Sequence, residues 1–206
     1  MDTWGLAQVQ RAWHMARPVT PALAVLFVLA ADDAETVKRL EAGDVVISTE
    51  KVEGSDLPRS IALGVIDAPP EKVWALVTDC DNFYKTMPRI AASKLLERDA
   101  GTAVCRVTAD LPFPVPDLTS ETRAVMTVEP GVKWERRWSL IKGDYRANTG
   151  AWVLTPYKGD LKRTLARYEL HIDPKIHVPD SFIVAGQKKS LPDLFTRLRE
   201  QTVGKQ

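Results

Sequence analysis

Beyond residue 44 most of the chain alternates apolar and polar positions with a period of two. This pattern is interrupted once, near residues 70–88, and ends near residue 180, where apolar residues recur every three or four. Period two marks strands with one buried face, and the longer period marks amphipathic helices. The alternation predicts strands over Val45–Val52 and Arg59–Ile66, joined by the turn chemistry of Glu53-Gly54-Ser55-Asp56 into a hairpin. Six further strands are predicted over Lys94–Asp99, Ala103–Leu111, Thr119–Val128, Val132–Ile141, Ala147–Leu154 and Thr164–Ile172. They are punctuated by Gly101, Pro130-Gly131, Gly143-Asp144 and Lys158-Gly159-Asp160, connections too short for crossover helices, so the sheet is expected to be antiparallel.

Helical signals fall in three places. Ala34–Ala42 holds good helix formers with Val37 and Leu40 three apart. Ala68-Pro69-Pro70-Glu71 opens a helix over Pro70–Thr78: proline is tolerated in a first turn, where its missing N–H has no intrahelical partner, and Glu71 suits the positive end of the helix dipole. Asp79, Asp81 and Asn82 then break the pattern, and Phe83, Tyr84, Met87 and Ile90 form a short second apolar set closed by Pro88. From Asp180 to Thr202, Leu191, Leu194, Phe195 and Leu198 share one face, and Pro192 is expected to kink or split that helix.

The faces decide what such a sheet encloses. Val132, Trp134, Arg136, Trp138 and Leu140 alternate with Lys133, Glu135, Arg137 and Ser139, so the first set is expected to point inward. Gly150, Trp152 and Leu154, and then Ala166, Tyr168, Leu170 and Ile172, continue that face. The earlier strands offer mostly small or flexible partners: Ala103, Cys105, Val107 and Ala109, then Ser120, Thr122, Ala124 and Met126. Large rings opposite small side chains leave room, and a cavity of ligand size would measure about 300 to 1,000 Å³.

The amino terminus reads as an address. Val19–Ala30 is an apolar run preceded by Arg11, His14 and Arg17 and followed by Asp32, Asp33 and Glu35, the layout of a secretory signal peptide cut near Ala30. Its helix would rise only about 18 Å, short of a bilayer core of about 30 Å, so cleavage and export to a secreted or periplasmic location are expected over anchorage. Both Met1 and Met15 are compatible starts. The expected organisation is a signal peptide at 1–30, a short leading segment at 31–43 and one domain at 44–202.

Of the 206 residues, 45% are hydrophobic and 27% charged, with a formal net charge of +1. That hydrophobic share excludes a disordered chain, and the balanced charge argues against an electrostatic grip on nucleic acid. Cys80 and Cys105 have no ligand-like spacing, so no metal is expected, and one bridge between them is compatible with the sequence.

Four pieces, in order, carry a resemblance: IDAPPEKVWALVTDCDNFYKTMP (66–88), DLPFPVPDLT (110–119), GAWVLTP (150–156) and the ending DPKIHVPDSFIVAGQKKSLPDLFTRLRE (173–200). With this order of elements the chain resembles the START-like, helix-grip (SRPBCC) superfamily. Within it, the chain resembles the bacterial polyketide cyclase/dehydrase and lipid-transport family, which includes coenzyme Q-binding START-like proteins. The resemblance implies an α+β fold, a curved antiparallel sheet wrapped around a long carboxy-terminal helix with two short helices after the first strands. It also implies a cavity for an apolar molecule such as a lipid, sterol, quinone or polyketide, and it does not fix one chemistry.

The residues expected to line that cavity are Trp74, Phe83, Met87, Cys105, Val107, Met126, Trp134, Arg136, Trp138, Trp152 and Tyr168. Arg136 is the most informative, because an inward guanidinium needs a carboxylate, water or a ligand head group; stacking on an indole or a bulge that turns it outward are the plainer readings. For Cys105 the plainer reading is a small core residue, and for Trp74, Phe83 and Met87 it is packing of the first helices. Asp79 and Asp81 fit turn and capping roles better than an acid/base pair. His14 lies in the signal, His171 on the expected solvent face and His177 in the loop before the last helix, so no histidine joins a catalytic constellation and no catalytic residue is assigned. The expected function is therefore non-catalytic binding, with or without transfer, of an apolar small molecule, with no cofactor, no nucleic acid and transient membrane contact. A cyclase/dehydratase-type enzyme using the same cavity and a ligand-free interaction domain stand as alternatives.

Overall fold

The computed structural model describes residues 34–111, 115–176 and 178–203. The predicted signal peptide, His14 and His177 lie outside the described residues. The chain opens with α1 (Ala34–Glu41), β1 (Val46–Glu50) and β2 (Arg59–Ile66). Then come α2 (Pro70–Thr78), a single 3₁₀ turn at Cys80–Asn82 and α3 (Phe83–Thr86). Six strands follow: β3 (Ile90–Asp99), β4 (Thr102–Ala109), β5 (Leu118–Glu129), β6 (Lys133–Gly143), β7 (Tyr145–Tyr157) and β8 (Asp160–Pro174). The last element is α4 (Asp180–Val203).

All eight strands form one antiparallel sheet in the order β1-β2-β8-β7-β6-β5-β4-β3. The meander β3–β8 is built from successive hairpins, and the β1–β2 hairpin joins it at β8. The register puts Trp134 opposite Leu154, Arg136 opposite Trp152 and Trp138 opposite Gly150, so these side chains share one face.

The main core lies between that face and the helices. Leu191, Leu194, Phe195 and Leu198 of α4 pack with Ile66, Val73, Val77, Trp134, Trp152, Leu154 and Ala166. Phe195 seats against β2 because Gly64 has no side chain; a Cβ there would stand 2.4 Å from its ring. Buried carbon of this kind contributes about 25 cal/mol per Å² removed from water.

Two expectations need correction. Pro192 does not split the last helix, which runs without a break from Asp180 to Val203. The carbonyl that Pro192 leaves without a helical donor belongs to Lys188, an exposed residue, so the helix can continue past the proline without burying an unpaired group. His171 does lie on the outer side of β8, but it is buried, 4% exposed, with Nδ1 3.5 Å from the carbonyl oxygen of Pro58. The outer side is partly covered: Leu40 of α1 packs on Val65 and Tyr157, and Leu57 is buried. Alternation assigns a side but cannot show that a leading helix and a loop cover it.

Candidate functional site

At the other end of the inner face the helix no longer fills the sheet. A cavity of about 170 Å³ lies there between β4–β8 and the α3 segment. Its apolar wall is Phe83, Met87, Ile90, Val107, Ala109, Trp152, Leu170 and Ile172. Trp138, Tyr145, Tyr168, Asn148, Ser120, Thr122 and Arg136 bring polar atoms to it. This is smaller than the ligand-sized space that large rings opposite small residues predicted. The heads of Arg136, Trp138 and Tyr168 are among the bulky groups that bound this space.

Each head is held by identifiable contacts. The Trp138 ring lies over Gly150, and its Nε1 donates to Asn148 Oδ1 at 3.1 Å; Asn148 Nδ2 in turn donates to Ser120 Oγ at 3.1 Å. One polar chain thereby links β6, β7 and β5. Tyr168 stacks at a tilt on Trp152, with ring centres 4.6 Å apart, and lies 5.9 Å from Trp138. Trp152 continues the series to Phe195 at 6.0 Å, so the cavity wall is coupled to α4 through rings.

Arg136 is 5% exposed. Its guanidinium sits 5.0 Å from the Trp138 ring centre and 5.4 Å from that of Phe83. Nη2 lies 3.9 Å from Cys105 Sγ, a weak acceptor. Among the described residues it makes no ion pair. Burial lowers its pKa to about 10, with a small opposing effect from Tyr168. Burial also raises the phenols of Tyr168 and Tyr145, the latter to about 12. At neutral pH the wall therefore carries one positive charge and two protonated phenols.

The α2–α3 segment is fastened over this space. Cys80 and Cys105 form a disulfide with Cα atoms 6.1 Å apart, joining the 3₁₀ turn to β4. Asp81 Oδ1 accepts from Leu95 N at 2.9 Å, and Arg98 Nη2 donates to the Thr78 carbonyl at 3.2 Å. From α4, Arg197 and Gln201 donate to the carbonyls of Met87 and Lys85. Phe83 and Met87 are thus presented to the cavity by a segment tied to both the sheet and the long helix.

Of the residues singled out by sequence, Phe83, Met87, Val107, Arg136, Trp138, Trp152 and Tyr168 come together on the cavity wall. Trp134 instead lies in the main core, and Trp74 packs against it. Cys105 is in the disulfide, and Met126 packs behind the wall against the cluster of Cys80, Phe83, Ala103 and Cys105. Alternation had already put Ala109, Ser120, Thr122, Leu170 and Ile172 on the inner face. Tyr145 was not legible that way, because a register shift between Tyr145 and Ala147 breaks the parity of β7. A second space of about 430 Å³, lined by Leu57, Arg146, Asp173, Lys175 and Ile183 among others, lies where β8 leads into α4. Among the described residues no group of acidic, histidine or cysteine side chains is arranged to hold a metal, and no helix is long and apolar enough to cross a membrane.

A curved antiparallel sheet closed by a long carboxy-terminal helix, with paired short helices over one end, is the START-like helix-grip fold. The chain belongs to the polyketide cyclase/dehydrase and lipid transport family, whose model matches residues 66–199. Among solved structures it is similar to a STAR-related lipid transfer protein from Xanthomonas axonopodis, with 21% identity, a TM-score of 0.65, and coverage of 75% of this chain and 93% of that one. It is also similar to human STARD10, at 13% identity and a TM-score of 0.66 over 77% of this chain and 69% of that one. A START superfamily protein from Mycobacterium smegmatis matches at 16% identity and a TM-score of 0.58, over 70% and 97% of the two chains. At such identities the likeness is one of fold. No curated protein sequence matches the chain.

Proposed function

We propose that the protein is an exported binding protein that holds an apolar small molecule in the cavity between the sheet and the α3 segment and releases it chemically unchanged. The observation that carries this reading is the wall itself: rings and aliphatic side chains around a space left unfilled in an otherwise packed interior. Its titratable groups, Arg136, Tyr145 and Tyr168, hold fixed protonation states near neutrality, which supports binding over acid/base chemistry. Export is supported by the disulfide, because such bridges persist in oxidising compartments and are rare in the cytosol.

Native mass spectrometry of protein purified gently from its own host, followed by organic extraction, tests the reading. A stoichiometric lipid, sterol, quinone or polyketide is expected, and the protein is expected to start near Ala31. Intact protein in the cytoplasm would overturn the export reading. The small cavity favours a second reading, a tightly packed domain that works through its surface. An empty protein that gains no thermal stability from any apolar ligand would establish it. Conversion of a bound molecule by the purified protein would instead favour an enzyme.

A further inference from the structure

We infer that the ligand is an apolar molecule ending in a carboxylate, and that Arg136 reads its charge; this rests on the cavity-binding reading above. Arg136 is the one formally charged residue on the described cavity wall, and it is 5% exposed. The acidic residues of the neighbouring strands do not serve it. Glu121, Glu135 and Glu169 occupy the opposite face, where Glu121 is taken up by Arg106 and Lys142, Glu135 by Lys133 and Arg137, and Glu169 by Arg137 and Arg167. The charged group that acts on Arg136 through space is a second cation, Arg98.

What the protein supplies to this guanidinium is incomplete in a specific way. Phe83 and Trp138 interact with its charge through their ring faces, at 5.4 and 5.0 Å. Its five N–H donors lie in the guanidinium plane, and the described residues offer them one weak acceptor, Cys105 Sγ at 3.9 Å. A planar fork of donors without an oxygen partner is the complement of a carboxylate, which accepts two of them side by side. The Tyr168 hydroxyl has no hydrogen-bond partner among the described residues, and burial keeps it protonated, so it is an additional donor on the same wall. A neutral alcohol or ester would accept one hydrogen bond but leave the charge uncompensated, and a cationic head would be repelled. The space of about 170 Å³ suits a compact head with a short or partly enclosed chain.

Isothermal titration of the full chain with octanoate, methyl octanoate, 1-octanol and acetate tests this. Octanoate is expected to bind at least tenfold more tightly than the ester and the alcohol. Acetate is expected to bind at least tenfold more weakly than octanoate, which separates a carboxylate on an apolar chain from a free one. Arg136→Gln should lose at least tenfold in octanoate affinity while octanol changes less than threefold, and Arg136→Lys should keep part of the acid preference. Equal binding of acid, ester and alcohol overturns the charge assignment and leaves the cavity reading standing. Binding by none of them overturns both. Acetate as tight as octanoate, or an acid preference that survives Arg136→Gln, overturns the assignment as well. If Arg136→Gln does not fold, the unaltered protein and Arg136→Lys decide.

Discussion

The indole of Trp138 fills the space above Gly150 so closely that a Cβ built on the glycine would stand 2.3 Å from the ring and 2.3 Å from the carbonyl oxygen of Glu169. Neither obstacle yields to a rotamer change alone, since one is backbone and the other is fixed by the Nε1 bond to Asn148. Gly150→Ala should therefore destabilise the fold by about 1 to 3 kcal/mol, the usual cost of overpacking. Gly186 is the contrasting case: it lies in the interior of α4 with nothing within 4 Å of its would-be Cβ. Gly186→Ala should stabilise by about 0.5 to 1 kcal/mol through helix propensity. Urea denaturation of both variants checks the opposite signs.

The same register separates neighbours in sequence by function. Trp138 lines the cavity, whereas Arg137 faces the other side and pairs with Glu135 and Glu169. Trp138→Ala should weaken binding of an apolar ligand more than tenfold, and Arg137→Ala less than twofold. Equal losses by titration would refute the cavity as the binding site.

The bridge between Cys80 and Cys105 closes a separation of 25 residues. Loop-closure entropy for a span of that size corresponds to about 3 to 4 kcal/mol. Replacing both cysteines by alanine should lower the melting temperature, and the same fall should appear when a reductant is added to the unaltered protein. Two free thiols titrated in the unfolded, unreduced protein would show that the bridge does not form.

Arg136 should be costly to the empty protein. Burial lowers its pKa from the ordinary guanidinium range to about 10, so the charged form is less favourable folded than unfolded. This penalty is fully present below about pH 10, where the group is charged in both states, and fades as pH rises above that value. At neutral pH it is of order 3 kcal/mol, partly offset by the two rings. Arg136→Met should thus raise the ligand-free stability by about 1 to 3 kcal/mol, the pattern seen when a site is held at the expense of stability. A lower melting temperature for Arg136→Met without ligand would contradict the account.

Much of the frame was legible because alternation and helix-start chemistry are local. The strand over Arg59–Ile66 and the helix over Pro70–Thr78 have the expected bounds, and the inner faces of β4–β8 follow from parity. What alternation cannot give is position along the inner face. Trp134 and Trp138 share a strand and a side, but α4 packs over the first, while the second borders the cavity. Likewise nothing local marked the burial of His171 by elements on the outer face or the parity break that brings in Tyr145, whereas the bridge left open between the two cysteines does form. These depend on contacts between segments distant in the chain.

The order of the sheet sets an order of assembly. Strands β3 to β8 pair with sequence neighbours, so each can add to the last as the chain emerges, whereas β2 meets β8 only across about a hundred residues, the largest loop-closure cost in the sheet. The hairpin β1–β2 and the stapled helices beside it are made early and wait with an unpaired edge, and α4 is made last. The main core is therefore closed by Asp180–Val203, and a chain lacking that helix would expose Trp134, Trp152 and Leu154 before it lost the sheet.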